Sequence, residues 1–166
     1  MSVAASTGVV RLTPVDDDNV KAVCRLTVAP GQEGFVADNV WSLAEAYANY
    51  AYAWPRAILR DDQVAGFLML EIDLDEEQGR HYWLWRLMVG ADHQRQGVGA
   101  AAVELACDEV RSRAGTALYT SWVPGEAGPE AFYLGLGFAP TGEIDEDGEI
   151  VAYRALAADG AAGVLR

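Results

Sequence analysis

The residues best placed to do chemistry form one short stretch, Gln94-Arg95-Gln96-Gly97-Val98-Gly99. Glycines at spacing two remove the Cβ atoms that would keep a ligand away from the backbone. The first-turn N–H groups of a helix starting here have no intrahelical partner and carry the positive end of its dipole. Such a site binds an anion, a diphosphate above all, and Arg95 adds a mobile positive charge beside it. The pattern is not a dinucleotide fingerprint. The third glycine is absent, and no acidic residue ends a strand about 20 residues on.

The flanking residues supply the elements such a loop needs. Tyr82 to Val89 is apolar or aromatic at nearly every position, which predicts a strand buried on both faces. Its one charge, Arg86, is costly to bury alone and is expected to pair with a carboxylate from an adjacent element. Ala100 to Arg113 reads as a helix with Val103, Ala106, Cys107 and Val110 on one face.

Elsewhere, Val9 to Thr13 reads as an edge strand ended by Pro14, and Asp16 to Asn19 open a helix through about Val28. Gln32 to Trp41 reads as a loop. Ser42-Leu43-Ala44-Glu45 has the form of a capping box, predicting a helix from about Leu43 to Tyr50, and Trp54-Pro55 marks the next boundary. Arg56–Arg60 and Gln63–Leu74 form a hairpin about Asp61-Asp62, with Gly66 at a bulge or close contact. Ala117 to Trp122 is another buried strand. Pro129 opens a short helix that ends at Gly135 to Gly137. Phe138–Ile144 and Ile150–Leu156 close the chain as a hairpin turning at Asp145 to Gly148, and Ala157 to Arg166 reads as a flexible tail. With no repeat and no linker, residues 1–166 are expected to form a single domain.

Bulk properties narrow the function. A formal charge of −13 opposes binding to duplex phosphates, so no nucleic-acid partner is expected. No run of about 18 apolar residues suggests a membrane span, and Met1 to Val10 lacks the regions of a secretory signal. Cys24 and Cys107 stand apart, as reduced thiols in a cytoplasmic protein would. His81 and His93 are isolated, so no metal site is expected.

Gln94-x-x-Gly97-x-Gly99 after an apolar strand resembles the pyrophosphate loop of the GNAT superfamily of acyl-CoA-dependent N-acetyltransferases. Glu130 to Phe138 resembles that family's Phe-Tyr-x-x-x-Gly-Phe segment, and the element order between the two also matches. The resemblance covers roughly Val64 to Leu156 well and the N-terminal part more loosely. It implies an α/β (α+β) fold: a mixed, mostly antiparallel twisted sheet of about six or seven strands with splayed central strands, flanked by about four helices. It also implies acetyl-CoA as co-substrate. Leu87, Met88 and Val89 would meet the pantetheine arm, and Gln94, Arg95, Gln96, Gly97, Val98, Gly99 and Ala100 the pyrophosphate. The Val89 N–H would hold the oxyanion, and Tyr133 would serve as general acid toward the leaving sulfur. The asparagine common in the family after the preceding strand is missing. Ser121-Trp122-Val123-Pro124 stands there instead, with Ser121 as a candidate polar contact.

Acyl transfer to an ammonium also needs a proton acceptor. Glu71 and Asp73 alternate on one strand face, and Glu71 ranks first for that role. Gln32 to Ala46 further resembles the Phe-Val-x-x-Asn-x-x-Ser-Leu-Ala segment of bacterial diamine and spermidine/spermine acetyltransferases. That likeness favours a small polyamine held by Glu33, Asp38, Trp41 and Glu45, with aromatic faces for the methylenes and carboxylates for the ammoniums. A protein amine, an aminoglycoside or an amino acid remains an alternative acceptor, as does a non-enzymatic acyl-CoA-binding module. A homodimer is the family expectation.

Overall fold

The computed structural model describes residues 8–157. In chain order the elements are β1 (Val10–Pro14), α1 (Val20–Arg25), a 3-10 turn at Glu33–Phe35, α2 (Asn39–Ala48), β2 (Ala53–Arg60) and β3 (Gln63–Ile72). There follow β4 (Tyr82–Val89), a second 3-10 turn at Ala91–His93, α3 (Val98–Ser112), β5 (Ala117–Trp122), α4 (Glu130–Gly135), β6 (Ala139–Ile144) and β7 (Ile150–Ala155). The strands form one seven-stranded sheet in the order β1-β2-β3-β4-β5-β7-β6. Every neighbouring pair is antiparallel except β4 and β5, which run parallel. The mixed, mostly antiparallel sheet with four helices is the architecture expected from the sequence. The expected C-terminal tail lies outside the described residues beyond Ala157.

Each face of the sheet has its own core. On one face Leu68, Leu70, Leu84 and Leu118 pack against the apolar side of α3, formed by Val103, Ala106, Cys107 and Val110. On the other face Phe67 and Met69 pack beneath Val23 of α1 and Ala46 of α2. Among the described residues no helix is long and apolar enough to cross a membrane.

Two irregularities shape β3 and β4. The β2–β3 register shifts at Ile58/Leu59, and nearby a methyl group on Gly66 would lie 2.4 Å from the Met88 carbonyl oxygen. Glycine is needed here because the β4 backbone passes so close. The β3–β4 register shifts between Met69, opposite Arg86, and Leu70, opposite Leu84, leaving Trp85 as the extra residue. A bulge of this kind bends its strand. Pairing of β4 with β5 stops at the same level: only Trp83↔Tyr119 and Leu84↔Thr120 are joined. Beyond Leu84 the two central strands separate.

The helix ends depart furthest from expectation in two places, while the end of α2 at Ala48 and the start of α3 at Val98 each differ by two residues. α1 stops at Arg25, three residues before Val28, because Leu26 is extended and the Thr27 carbonyl accepts the Ala91 N–H at 2.8 Å. The chain after α1 is thereby tied to the loop that follows β4. α2 starts at Asn39 rather than Leu43: Asp38 is the N-cap, its Oδ1 accepting the Trp41 N–H at 2.7 Å. Ser42 lies inside the helix and its hydroxyl donates to the Asp38 carbonyl at 3.0 Å, so the apparent capping box is not used. Asp38→Ala should therefore lower stability by about 1 kcal/mol, read as a shifted urea midpoint at unchanged slope.

Candidate active site

Where β4 and β5 part, a cleft of about 1140 Å³ opens between them. One side is built from the end of β4, the loop and the start of α3. The Gln94 amide donates to the Val89 carbonyl at 3.0 Å and to Gln32 Oε1 at 2.7 Å, joining strand, loop and N-terminal segment. Arg95 (φ 59°) and Gly97 (φ 78°) both take the left-handed conformation, which a residue with a Cβ adopts at some cost. Gly97 is the N-cap of α3 and caps it with no side chain, so the first-turn amides at Val98, Gly99 and Ala100 are left for a ligand. No atom of the described residues lies within 4 Å of where a Gly97 Cβ would stand, whereas a Cβ on Gly99 would meet the Phe132 ring at 3.2 Å. The first glycine keeps the loop open and the second lets α3 approach α4.

The backbone of β4 supplies a further donor. Gly90 donates its N–H to the Ala65 carbonyl of β3 at 2.8 Å. Strand alternation then turns the Val89 N–H to the opposite side, toward the gap. Leu87, Met88, Val89, Gln94, Arg95, Gly97, Val98, Gly99 and Ala100 all line the cleft. Gln96 does not, and its amide donates to the Asp92 carbonyl at 3.1 Å.

Tyr133 of α4 reaches the cleft from the α3 side of the sheet. Its ring stacks on Trp122 at 5.4 Å with 14° between planes, and meets Phe132 and Phe138 edge-on. Burial pushes its phenol up to about 12, opposed by a hydrogen bond with the Thr120 side chain and assisted by the charge of Glu149. The hydroxyl therefore stays protonated at working pH. Trp122 is itself buried in the cleft wall, and its indole N–H has no partner among the described residues.

The other side of the cleft is acidic and aromatic, lined by Phe35, Glu71, Trp83, Trp85, Arg86, Ser121, Asp145, Asp147 and Glu149. Burial raises the Glu71 carboxyl, and the charge of nearby Asp73 adds to the shift. Glu149 Oε2 accepts the Ser121 hydroxyl at 2.6 Å. Asp145 Oδ1 accepts the backbone N–H groups of Asp147 and Glu149, shaping the turn between β6 and β7. Arg86 pairs as expected, donating to Glu45 Oε2 of α2 at 2.8 Å.

The residues expected to hold the acceptor lie elsewhere. Glu33, Asp38, Trp41 and Glu45 are all absent from the cleft lining. Glu33 accepts the Gly31 N–H, Asp38 caps α2, Trp41 is 62% exposed, and Glu45 is engaged by Arg86. Their segment contributes Gln32, Gly34, Phe35, Val36 and Ala37 instead. The acids of the β6–β7 turn join the cleft without any local sequence signal that marks them as site residues. Asp145-Glu146-Asp147-Gly148-Glu149 signals a turn by composition, and only the pairing of Trp122 with Ile150 brings it to the cleft. Among the described residues no group of histidine, cysteine or carboxylate side chains could hold a metal ion.

The model of the acetyltransferase (GNAT) family matches residues 20–138. A comparison with curated proteins finds no match. Among solved structures, the ribosomal-protein-S18-alanine N-acetyltransferase from Escherichia coli is 20% identical, with a TM-score of 0.62 over 95% of this chain and 100% of that one. PaiA N-acetyltransferase from Thermoplasma acidophilum, solved in complex with coenzyme A, is 12% identical, with a TM-score of 0.63 over 89% and 99% of the two chains. Ard1 from Thermoplasma volcanium is 13% identical, with a TM-score of 0.65 over 89% and 98%. At these identities the likeness is one of fold. The family match spans well over half of the chain and contains both the open-ended α3 and Tyr133, so the chain belongs to the acetyltransferase (GNAT) family, as an N-acetyltransferase that takes its acyl group from acetyl-CoA.

Proposed function

We propose that the chain acetylates a primary amine of a small polyamine of the spermidine or spermine type, by direct attack on the thioester. The observation that carries this reading is the charge of the acceptor side. Four carboxylates, Glu71, Asp145, Asp147 and Glu149, line it beside Trp83 and Trp85. Arg86, the one arginine on this side among the described residues, is paired with Glu45. Carboxylates suit ammonium groups and indole faces suit the methylenes between them.

The residues present fit acetyl-CoA. The uncapped first turn of α3 with Arg95 would hold the pyrophosphate, and the outward backbone of Leu87 to Val89 the pantetheine arm. When bound, the donor supplies an acyl carbon already activated as a thioester. The Val89 N–H is directed to stabilise negative charge on the acyl oxygen. Tyr133, kept neutral by burial, donates its hydroxyl proton toward the departing sulfur. The same burial disfavours a bare thiolate, so a neutral phenol and a sulfur in need of a proton suit one another.

Gly97→Glu should abolish acetyl-CoA binding in calorimetry, because a carboxylate would face the phosphates; unchanged binding would remove the loop from the donor site. Tyr133→Phe should lower kcat on the order of 10²-fold while coenzyme affinity stays nearly constant. Equal loss of both would make Tyr133 a packing residue. Thiol release from acetyl-CoA should rise selectively with spermidine or spermine over an aminoglycoside, amino acids and a peptide. A response confined to the peptide would exclude the polyamine reading.

A further inference from the structure

We propose that Glu149, acting through the hydroxyl of Ser121, takes the proton from the acceptor ammonium. The inference rests on the N-acetyltransferase reading and names the residue that completes its proton transfers.

Side chains alternate along β5 between the two faces of the sheet. Leu118, Thr120 and Trp122 are buried against the α3 side, where Tyr133 stacks on Trp122. Tyr119 and Ser121 therefore face the other side, and Tyr119 stacks there between Trp83 and Tyr153. Tyr133 and Ser121 thus flank the same few peptide units of β5 from opposite faces. The last β4–β5 pair is Leu84↔Thr120, so Ser121 is the first β5 residue beyond the point where the strands part. A donor held on the α3 side and an acceptor entering from the other side meet at this level.

Register brings the carboxylate. β7 pairs Val151 with Ser121 and Ile150 with Trp122, and Glu149 immediately precedes that pair. Its Oε2 lies 2.6 Å from Ser121 Oγ, and both residues line the cleft. A serine hydroxyl has one proton and two lone pairs. With its proton given to Glu149, its oxygen is left to accept an N–H from the amine. Glu71 is less well placed. It stands opposite Trp83, which stands opposite Tyr119, two strands from β5 and two residues short of Ser121. At ~4.8 Å per strand that is roughly 10 Å from β5, a position for holding a distant ammonium. The charged and titratable groups sharing the cleft with Glu149 are Asp145 and Asp147 of its own turn, Tyr133 of α4, Glu71 of β3, Arg86 of β4, and His93 and Arg95 of the segment between β4 and α3.

The protons balance. The ammonium passes one proton to Ser121 Oγ as the serine proton moves to Glu149, which later releases it to solvent. The amine nitrogen then forms its bond to the acyl carbon while the carbon–sulfur bond breaks. Tyr133 gives its proton to sulfur, and the second proton lost by nitrogen restores the phenol. The sum is an amide, a thiol and one proton from an ammonium and a thioester.

The test compares the pH dependence of kcat, at saturating amine, for the wild type, Glu149→Gln, Ser121→Ala and Glu71→Gln. Thermal midpoint and acetyl-CoA affinity serve as controls for folding. Glu149→Gln should lose on the order of 10²-fold in kcat together with the acidic limb of the profile. Ser121→Ala should fall between it and the wild type, and Glu71→Gln should raise the amine KM and keep the limb. A limb retained in Glu149→Gln, or lost in Glu71→Gln, overturns the proposal. A wild type inactive toward every amine would overturn the functional reading and this proposal with it. Failure in the variants alone would overturn only the proposal.

Discussion

The structure depends on a sheet that stops being a sheet at one point. Two parallel strands that paired along their whole length would satisfy each other's backbone and leave no opening. Here β4 and β5 share only two residue pairs, and the bulge at Trp85 bends β4 at the level where pairing ends. The backbone groups of β4 beyond Leu84 keep their bonds to β3 on one side and face open space on the other. A chain of amide groups such as the pantetheine arm can take the place of the missing strand. The cost of unpaired backbone in the empty protein becomes binding energy for a ligand that pairs with it.

The opening is electrostatically divided. On the α3 side the open helix end and Arg95 favour a polyanion. On the other side four carboxylates and two indole rings favour a cation. An anionic donor and a cationic acceptor would each be attracted to its own side and repelled from the other. Arg86 crosses this division, and its bond to Glu45 removes a charge that would repel an ammonium while anchoring α2 to the central strand. The overall charge of −13 extends the attraction for cations beyond the cleft.

How far the sequence can be read follows from the range of the forces involved. β4 and β5 were legible as strands from their apolar and aromatic content, but neither is buried on both faces: fully buried Tyr82, Leu84 and Met88, and Leu118, Thr120 and Trp122, are separated by half-buried residues that border the cleft or the sheet's other face. The loop was legible because glycine spacing and a helix start are local, and of its residues only Gln96 turns from the cleft. α2 was misplaced because Asp38 and Ser42 both offer a capping oxygen, and only the packing of Asn39, whose side chain donates to the Val23 carbonyl, favours the earlier start. The acceptor residues rested on a segment resemblance, which carries no information on partners: Asp38 is used by the helix cap and Glu45 by Arg86, 41 residues away. Glu149 was illegible for the same reason: its neighbour Ser121 is 28 residues away, and β5–β7 register alone joins them.

Amide hydrogen exchange, with and without acetyl-CoA, tests the central claim most directly. Binding in the gap predicts new protection at the Val89 amide and at Val98, Gly99 and Ala100, with little change in β1 and β2. Protection absent from both places, in a protein that binds the coenzyme, would contradict the assignment of the parted strands and the open helix end as the donor site.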